Sequence, residues 1–130
     1  MHIGVVAELT QMSIRAIRYY DQVRLATPSA RTPGGFRLYN QNDVDRLTTI
    51  HRMKALNFTL DEMKQLLHSL ETVSDNQGGS SAQREAKAFI AECVARAEDA
   101  CIALRNQLNY AEEFKTLLAT VNLTGGSSSS

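Results

Sequence analysis

From residue 82 to about residue 122 the chain contains no proline and no glycine and is rich in alanine, glutamate, leucine and arginine. Good helix formers without a breaker over that distance dictate one long helix. With Val94 as heptad position a, the a and d series runs Ile90, Val94, Ala97, Cys101, Leu104, Leu108, Ala111 and Leu118, interrupted by Lys115. An apolar repeat every 3.5 residues over about four heptads requires a second helix to cover it. No other long helix is read in the chain, so the cover is the same helix from another copy. A weaker stripe of Phe89, Cys93, Tyr110, Phe114, Leu117 and Val121 lies off that seam. It reads as packing against the short helices of either subunit, with an effector pocket as the alternative.

The preceding half divides into short elements. Val5, Val6 and Leu9 give a short apolar helix face, Thr10-Gln11-Met12 turns the chain, and Ser13 can cap a second helix over Ile14, Ile17 and Tyr20. This is helix-turn-helix spacing. Pro28 and Pro33 bracket an extended region, and Gly34-Gly35 supplies the positive φ of a hairpin turn before Phe36-Arg37-Leu38-Tyr39, the pattern of a two-stranded wing. Asn40 with Asp43 can cap a third helix bearing Val44, Leu47, Ile50 and Leu56, and Thr59 to Glu62 forms a capping box for a fourth bearing Met63, Leu66, Leu67 and Leu70. Asn57 lies where a left-handed residue would close the third helix. The expected layout is a head over residues 1–71, a connector over 72–81, the dimerisation helix over 82–122 and a polar tail over 123–130. A core of four short helices and a hairpin is small and gains from a partner chain.

The chain of 130 residues is formally neutral, but the neutrality is an average. Residues 1–70 carry nine Lys/Arg against six Asp/Glu, a net of +3, whereas residues 71–130 carry five against eight, a net of −3. The basic half can face a polyanion while the acidic half is held off it. Within the basic half, Arg15, Arg18, Tyr19 and Tyr20 share the second helix, and Arg31, Arg37 and Tyr39 share the wing. Arginine presents a planar fork of donors that fits phosphate oxygens or a guanine edge, and tyrosine adds a hydroxyl on a stiff arm. Duplex DNA is the partner these residues suit. No nucleophile, base and orienting group form a catalytic constellation. Two cysteines, no apolar run of membrane-spanning length and no secretory leader give the expectation of a cytoplasmic protein without a membrane partner.

Over residues 2 to about 70 the chain resembles the MerR-type transcriptional regulators. The resemblance is carried by Ile3-Gly4-Val5-Val6-Ala7, Ile17-Arg18-Tyr19-Tyr20-Asp21, Gly35-Phe36-Arg37-Leu38-Tyr39, Asp43-Val44-Asp45-Arg46-Leu47 and Leu56 to Met63, in that order. It implies a mainly α fold, with a winged helix-turn-helix head followed by a long helix that forms an antiparallel coiled coil in a homodimer. It also implies binding to a pseudo-palindromic promoter whose spacer is bent and untwisted so that RNA polymerase can engage. On this resemblance Ser13 starts the recognition helix, Arg15, Arg18 and Tyr19 enter the major groove, and Arg31, Gly35, Arg37 and Tyr39 belong to the wing that holds flanking backbone. Ile14, Ile17, Tyr20, Phe36 and Leu38 have the spacing of packing residues, and Arg52 and Lys54 divide evenly between DNA and solvent. Gln11, Arg24 and Asn57 stand where relatives usually have glycine; if the backbone stays left-handed, each costs about 1 kcal/mol, and Arg24 adds a phosphate contact. The competing reading is an architectural protein that uses the same head without an inducer.

Metal-sensing relatives place cysteines just past the long helix, where this chain has none. Cys93 and Cys101 are eight residues apart, about 12 Å along one helix, too far to share one ion whose sulfur ligands lie near 2.3 Å. No cofactor is expected. The two cysteines read first as small buried hydrophobes. The alternative is a redox or effector site across the dimer, with Cys101 near the midpoint of the helix meeting its mate and forming a disulfide or taking a thiophilic metal or electrophile.

Overall fold

The computed structural model describes residues 1–75 and 79–121. Its elements are α1 (Ile3–Thr10), α2 (Ile14–Gln22), β1 (Ala30–Arg31), β2 (Arg37–Leu38), α3 (Gln41–Ala55), α4 (Leu60–Asp75) and α5 (Ser80–Ala119). This is the mainly helical, winged helix-turn-helix arrangement that the sequence predicts, followed by one long helix. The chain divides into a compact head, Met1–Lys87, and a second unit from Ala88 onward.

Helices α2, α3 and α4 begin at side-chain caps, and α1, α2 and α3 are each followed by a left-handed residue. The Ser13 hydroxyl accepts from the Ala16 amide at 3.0 Å. Asn40 and Asp43 form a reciprocal capping box, and Thr59 and Glu62 form another at 3.1 and 2.8 Å. Gln11, Arg24 and Asn57 have φ of 61°, 60° and 65° and follow α1, α2 and α3 respectively. The next residue in each case folds its amide back onto the helix: Met12 onto the Ala7 carbonyl at 3.3 Å, Leu25 onto Tyr20 at 2.9 Å and Phe58 onto Met53 at 3.1 Å. Met12, Leu25 and Phe58 are all buried. Each helix is therefore closed by the same device, a left-handed turn that drives a hydrophobe into the core. Burying such a side chain contributes about 1.5–3 kcal/mol, which exceeds the roughly 1 kcal/mol cost of a non-glycine residue at positive φ.

The head packs around Val6, Ile17, Leu47 and Ile50, with α1 lying against both α2 and α3. Several apolar residues expected inside are not. Val5 and Leu9 are exposed, because α1 buries only Val6 and Thr10, whose hydroxyl donates to the Val6 carbonyl at 2.8 Å, and Ile14 is exposed because α2 buries only Ile17 and Tyr20. On α3, Met53 fills the place expected of Leu56, since the helix ends at Ala55 and Leu56 enters the closing turn. Leu70 is exposed on α4 while Met63, Leu67 and Ser69 are buried.

The expected connector over 72–81 is shorter than its composition suggests. Helix α4 continues to Asp75 and α5 starts at Ser80, with residues 76–78 outside the described residues. Between Leu60 and Gln77 the sequence has no proline or glycine, and the Gln83 side-chain amide donates to the Thr72 carbonyl at 2.6 Å, joining the two helices inside the head. The expected tail over 123–130 also lies outside the described residues.

Taken by itself, α5 has 40 residues and a length of about 60 Å. Val94, Cys101, Leu104, Leu108, Ala111 and Leu118 of the heptad seam are exposed on it, and Ile90 and Ala97 are half-buried. Off the seam, Ile102, Tyr110, Phe114, Leu117 and Val121 are exposed too.

The wing is a minimal hairpin pairing Ala30 with Leu38 and Arg31 with Arg37. Its turn is closed by the Gly35 amide on the Thr32 carbonyl at 2.8 Å and the Thr32 amide on the Phe36 carbonyl at 2.9 Å. Of the two glycines, only Gly35 has positive φ, at 86°. A Cβ there meets nothing within 4 Å, so its cost is purely conformational, whereas a Cβ on Gly34 meets the Phe36 ring at an ordinary 3.4 Å. Urea unfolding of Gly35→Ala is expected to show a loss of about 1 kcal/mol. Gly34→Ala is expected to stay within about 0.5 kcal/mol of the parent. Equal effects at both positions would contradict the turn geometry.

Candidate nucleic-acid interface

Ile17 and Tyr20, three residues apart, anchor α2 in the core. At 100° per residue, Arg15, Arg18, Tyr19 and Gln22 then fall within an arc of about 100° on the opposite side, and all four are exposed. The Tyr19 ring stands edge-on to the buried Tyr20 ring, with centroids 5.4 Å apart and planes at 63°, so a core residue sets its direction. The outward face thus carries two guanidinium forks, a phenol and an amide, groups that suit base edges and phosphates.

Asp21 joins this helix to the wing. Its Oδ2 accepts from Arg37 Nε at 2.6 Å and from Arg31 Nη2 at 3.0 Å. Partial burial works against the charged carboxylate, but the bonds and charges of Arg37 and Arg31 outweigh it and hold the pKa below its ordinary value of 3.8. The wing is also fixed at its far edge, where the chain start pairs with it: the Met1 amino group donates to the Tyr39 carbonyl at 2.6 Å and the Tyr39 amide to the Met1 carbonyl at 2.8 Å. Arg31 and Arg37, expected on phosphates, therefore have a nearer partner, and their first role in the head is to hold the hairpin against α2.

The expectation for Tyr39 is corrected. Its side chain is only 2% exposed, so it packs under the wing instead of reaching DNA backbone. Among the described residues its hydroxyl finds no hydrogen-bond partner, and burial, followed by the nearby Asp21 carboxylate, raises its pKa. Phe36 is corrected in the opposite sense. Strand alternation places it on the side of Leu38, but it lies beyond the end of the two-residue β2 and is 69% exposed. Ser13 serves as the cap of α2, and Gly35 as the left-handed turn residue of the wing. Arg52 is exposed in the last turn of α3, and among the described residues no hydrogen bond or ion pair joins it to the other candidates.

Two positioning groups escape a reading of the sequence by charge. Arg46 donates through Nε to the Leu25 carbonyl at 2.7 Å and through NH1 to Glu71 at 2.7 Å, tying the exit of α2 to α3 and α4. Asp43 accepts from the Ser29 amide at 3.0 Å and the Asn40 amide at 2.9 Å, tying the approach to β1 to the start of α3. Both lie in the Asp43–Leu47 segment of the family resemblance, which marks them without revealing their partners. Among the described residues, no group of three or more His, Cys, Asp or Glu could hold a metal ion. Cys93 is half-buried and Cys101 exposed on α5. No helix is long and apolar enough to cross a membrane among the described residues.

The family model described as MerR HTH family regulatory protein matches residues 1–70, more than half of the chain. The chain belongs to the MerR family. It is 45% identical over 62 residues to the HTH-type transcriptional activator mta of Bacillus subtilis, covering 48% of this chain and 24% of that protein. The crystal structure of the transcription regulator PbrR691 from Ralstonia metallidurans CH34, in complex with lead(II), matches with a TM-score of 0.55 at 27% identity, covering 89% of this chain and 85% of that one. A MerR family transcriptional regulator from Listeria monocytogenes, at 15% identity and a TM-score of 0.66 over 92% of this chain and 86% of that one, shares the fold. The chain spans between 24% and 60% of the length of the curated relatives it matches. The matched region of this MerR head contains α2, the wing and the Asp21 clamp.

The clamp has a defined pH dependence. Because the folded pKa of Asp21 is lowered, its contribution to stability is complete above the unfolded carboxylate value and is lost as pH falls through the folded one. Chemical-denaturation stability of the parent is expected to drop below about pH 4 more steeply than that of Asp21→Asn, which lacks the titrating group. Parallel profiles would show that Asp21 carries no such linkage.

Proposed function

We propose that the chain is a homodimeric, sequence-specific DNA-binding transcriptional regulator. It binds a pseudo-palindromic promoter element and distorts the spacer so that RNA polymerase can engage. The observation that carries this reading is the α2 face of Arg15, Arg18, Tyr19 and Gln22, directed outward by the burial of Ile17 and Tyr20 and joined to the wing through Asp21. Such a face contributes hydrogen bonds to base edges at its centre and to phosphates at its margins. Bending DNA costs several kcal/mol, and phosphate contacts from two heads offset that cost where one head would not. The exposed seam of α5 supplies the reason for two copies, since Val94, Leu104, Leu108 and Leu118 gain cover only from another helix. In an antiparallel pair, Cys101, within two residues of the midpoint of Ser80–Ala119, faces its mate and is the group at which a thiophilic ion or electrophile would act. The chain acts by binding, with no catalytic step.

Selection from a random-sequence duplex library is expected to enrich a site with two inverted halves, and sedimentation equilibrium is expected to give a dimer. Arg18→Ala should weaken binding to the selected duplex by about 1–3 kcal/mol per head while leaving the dimer intact. Leu104→Asp combined with Leu108→Asp should give a monomer that no longer binds the two-half site tightly. Recovery of no repeated half-site, or parent-like affinity in Arg18→Ala, would refute this function.

A further inference from the structure

Beside the Asp21 clamp lies an open cleft of about 400 Å³ lined by Asp21, Gln22, Arg24, Thr27, Pro28 and Arg31. Gln22 belongs both to this cleft and to the outward arc of α2, so the cleft adjoins the face assigned to DNA. Arg24 stands in the left-handed turn that ends α2, with φ of 60°, a conformation that disfavours any residue carrying a Cβ relative to glycine. Its guanidinium is exposed and forms no hydrogen bond or ion pair with another described residue, whereas the guanidinium of Arg31 and that of Arg37 are directed to Asp21. The one carboxylate among the residues lining the cleft is thus matched by two arginines, and Arg24 adds a third cation that no described residue neutralises. Thr27 and the Gln22 amide bring neutral hydrogen-bonding groups to the same space.

We infer that this cleft seats one backbone phosphate of the duplex at the end of the recognition helix, with Arg24 as its principal ligand and Gln22 and Arg31 beside it. The inference rests on the DNA-binding reading of the head and adds a specific anchoring site to it. Arginine suits the role because its planar fork can give two parallel hydrogen bonds to a phosphate. The contact is independent of base sequence, so it contributes equally on every duplex and fixes the register of α2 in the groove. The left-handed backbone makes the site separable from folding. Replacing Arg24 by glycine removes the phosphate ligand and relieves the backbone at the same time, so stability and DNA affinity move in opposite directions.

The test uses the full chain, a fluorescent duplex enriched from the random library, and a random-sequence duplex of the same length. Affinities are measured by anisotropy across a salt series, and stability by urea unfolding. Arg24→Gly is expected to raise the urea midpoint yet weaken binding to both duplexes alike. The expected weakening is on the order of 30-fold at 0.15 M salt, with a logarithmic salt slope shallower by about 2, the values for one lost phosphate contact per head on B-DNA. Arg24→Gln, which keeps a long polar side chain without the charge, should show the same loss of slope. Unchanged affinity and slope in both variants would overturn the phosphate seat. So would a loss confined to the selected duplex, which would make Arg24 a base reader. If the parent shows no preference between the duplexes, the promoter-binding function fails, and the slopes on the random duplex still decide the role of Arg24.

Discussion

The head is held together by how its helices stop. Gln11, Arg24 and Asn57 each reverse the chain through positive φ, and each is followed by a residue that must then enter the core: Met12, Leu25 and Phe58. Without the first reversal, α2 would not cross α1 with Ile17 and Tyr20 inward and Arg15 and Arg18 outward. Without the second, the chain would not double back from α2 toward the wing. Without the third, α4 would not return along α3. The backbone strain at these points is small beside the burial it makes possible, which explains why three residues other than glycine are tolerated there.

A second layer of organisation is polar and consists of charged side chains that bridge elements far apart in sequence. Asp21 gathers Arg31 and Arg37 from the two strands of the wing, and Arg46 links the Leu25 carbonyl to Glu71 on α4. Partly exposed pairs of this kind contribute little stability one by one. Their effect is geometric, since they set the angle between α2 and the wing and the position of α4 behind them. Duplex recognition requires that such groups keep a fixed spacing, because contacts to phosphates set the register in which base edges are read. The arginines of the wing are therefore held in place by the fold itself, while Arg24 forms no ion pair with another described residue.

Much of this was legible in the chain itself. The caps at Ser13, Asn40 and Thr59 and the left-handed turn at Asn57 follow from rules that span only a few positions, whereas the left-handed Gln11 and Arg24 are marked only by the family resemblance, and the structure has all of them in place. The departures concern contacts between distant segments. Val5, Leu9, Ile14 and Phe36 carry apolar side chains that periodicity assigns to the interior, yet all four are exposed. Tyr39 sits in the family's wing motif among arginines, the pattern of a DNA contact, but its side chain is buried and its backbone pairs with the chain start. Asp21 is a single acid in a basic segment, and nothing local announces that two arginines from the hairpin converge on it.

The sequence by itself determined the elements, their boundaries to within a few residues, the charge division and the apolar heptad seam of the long helix. These depend on local propensity, capping and periodicity, which act between near neighbours along the chain. Only the tertiary structure decided which apolar residues lie inside and which arginines are already engaged. It also decided that Gln22, Arg24 and Arg31 border one cleft. Burial and ion pairing depend on which surfaces face one another after the chain has turned back on itself, and that information is spread over residues too far apart for any local rule to join.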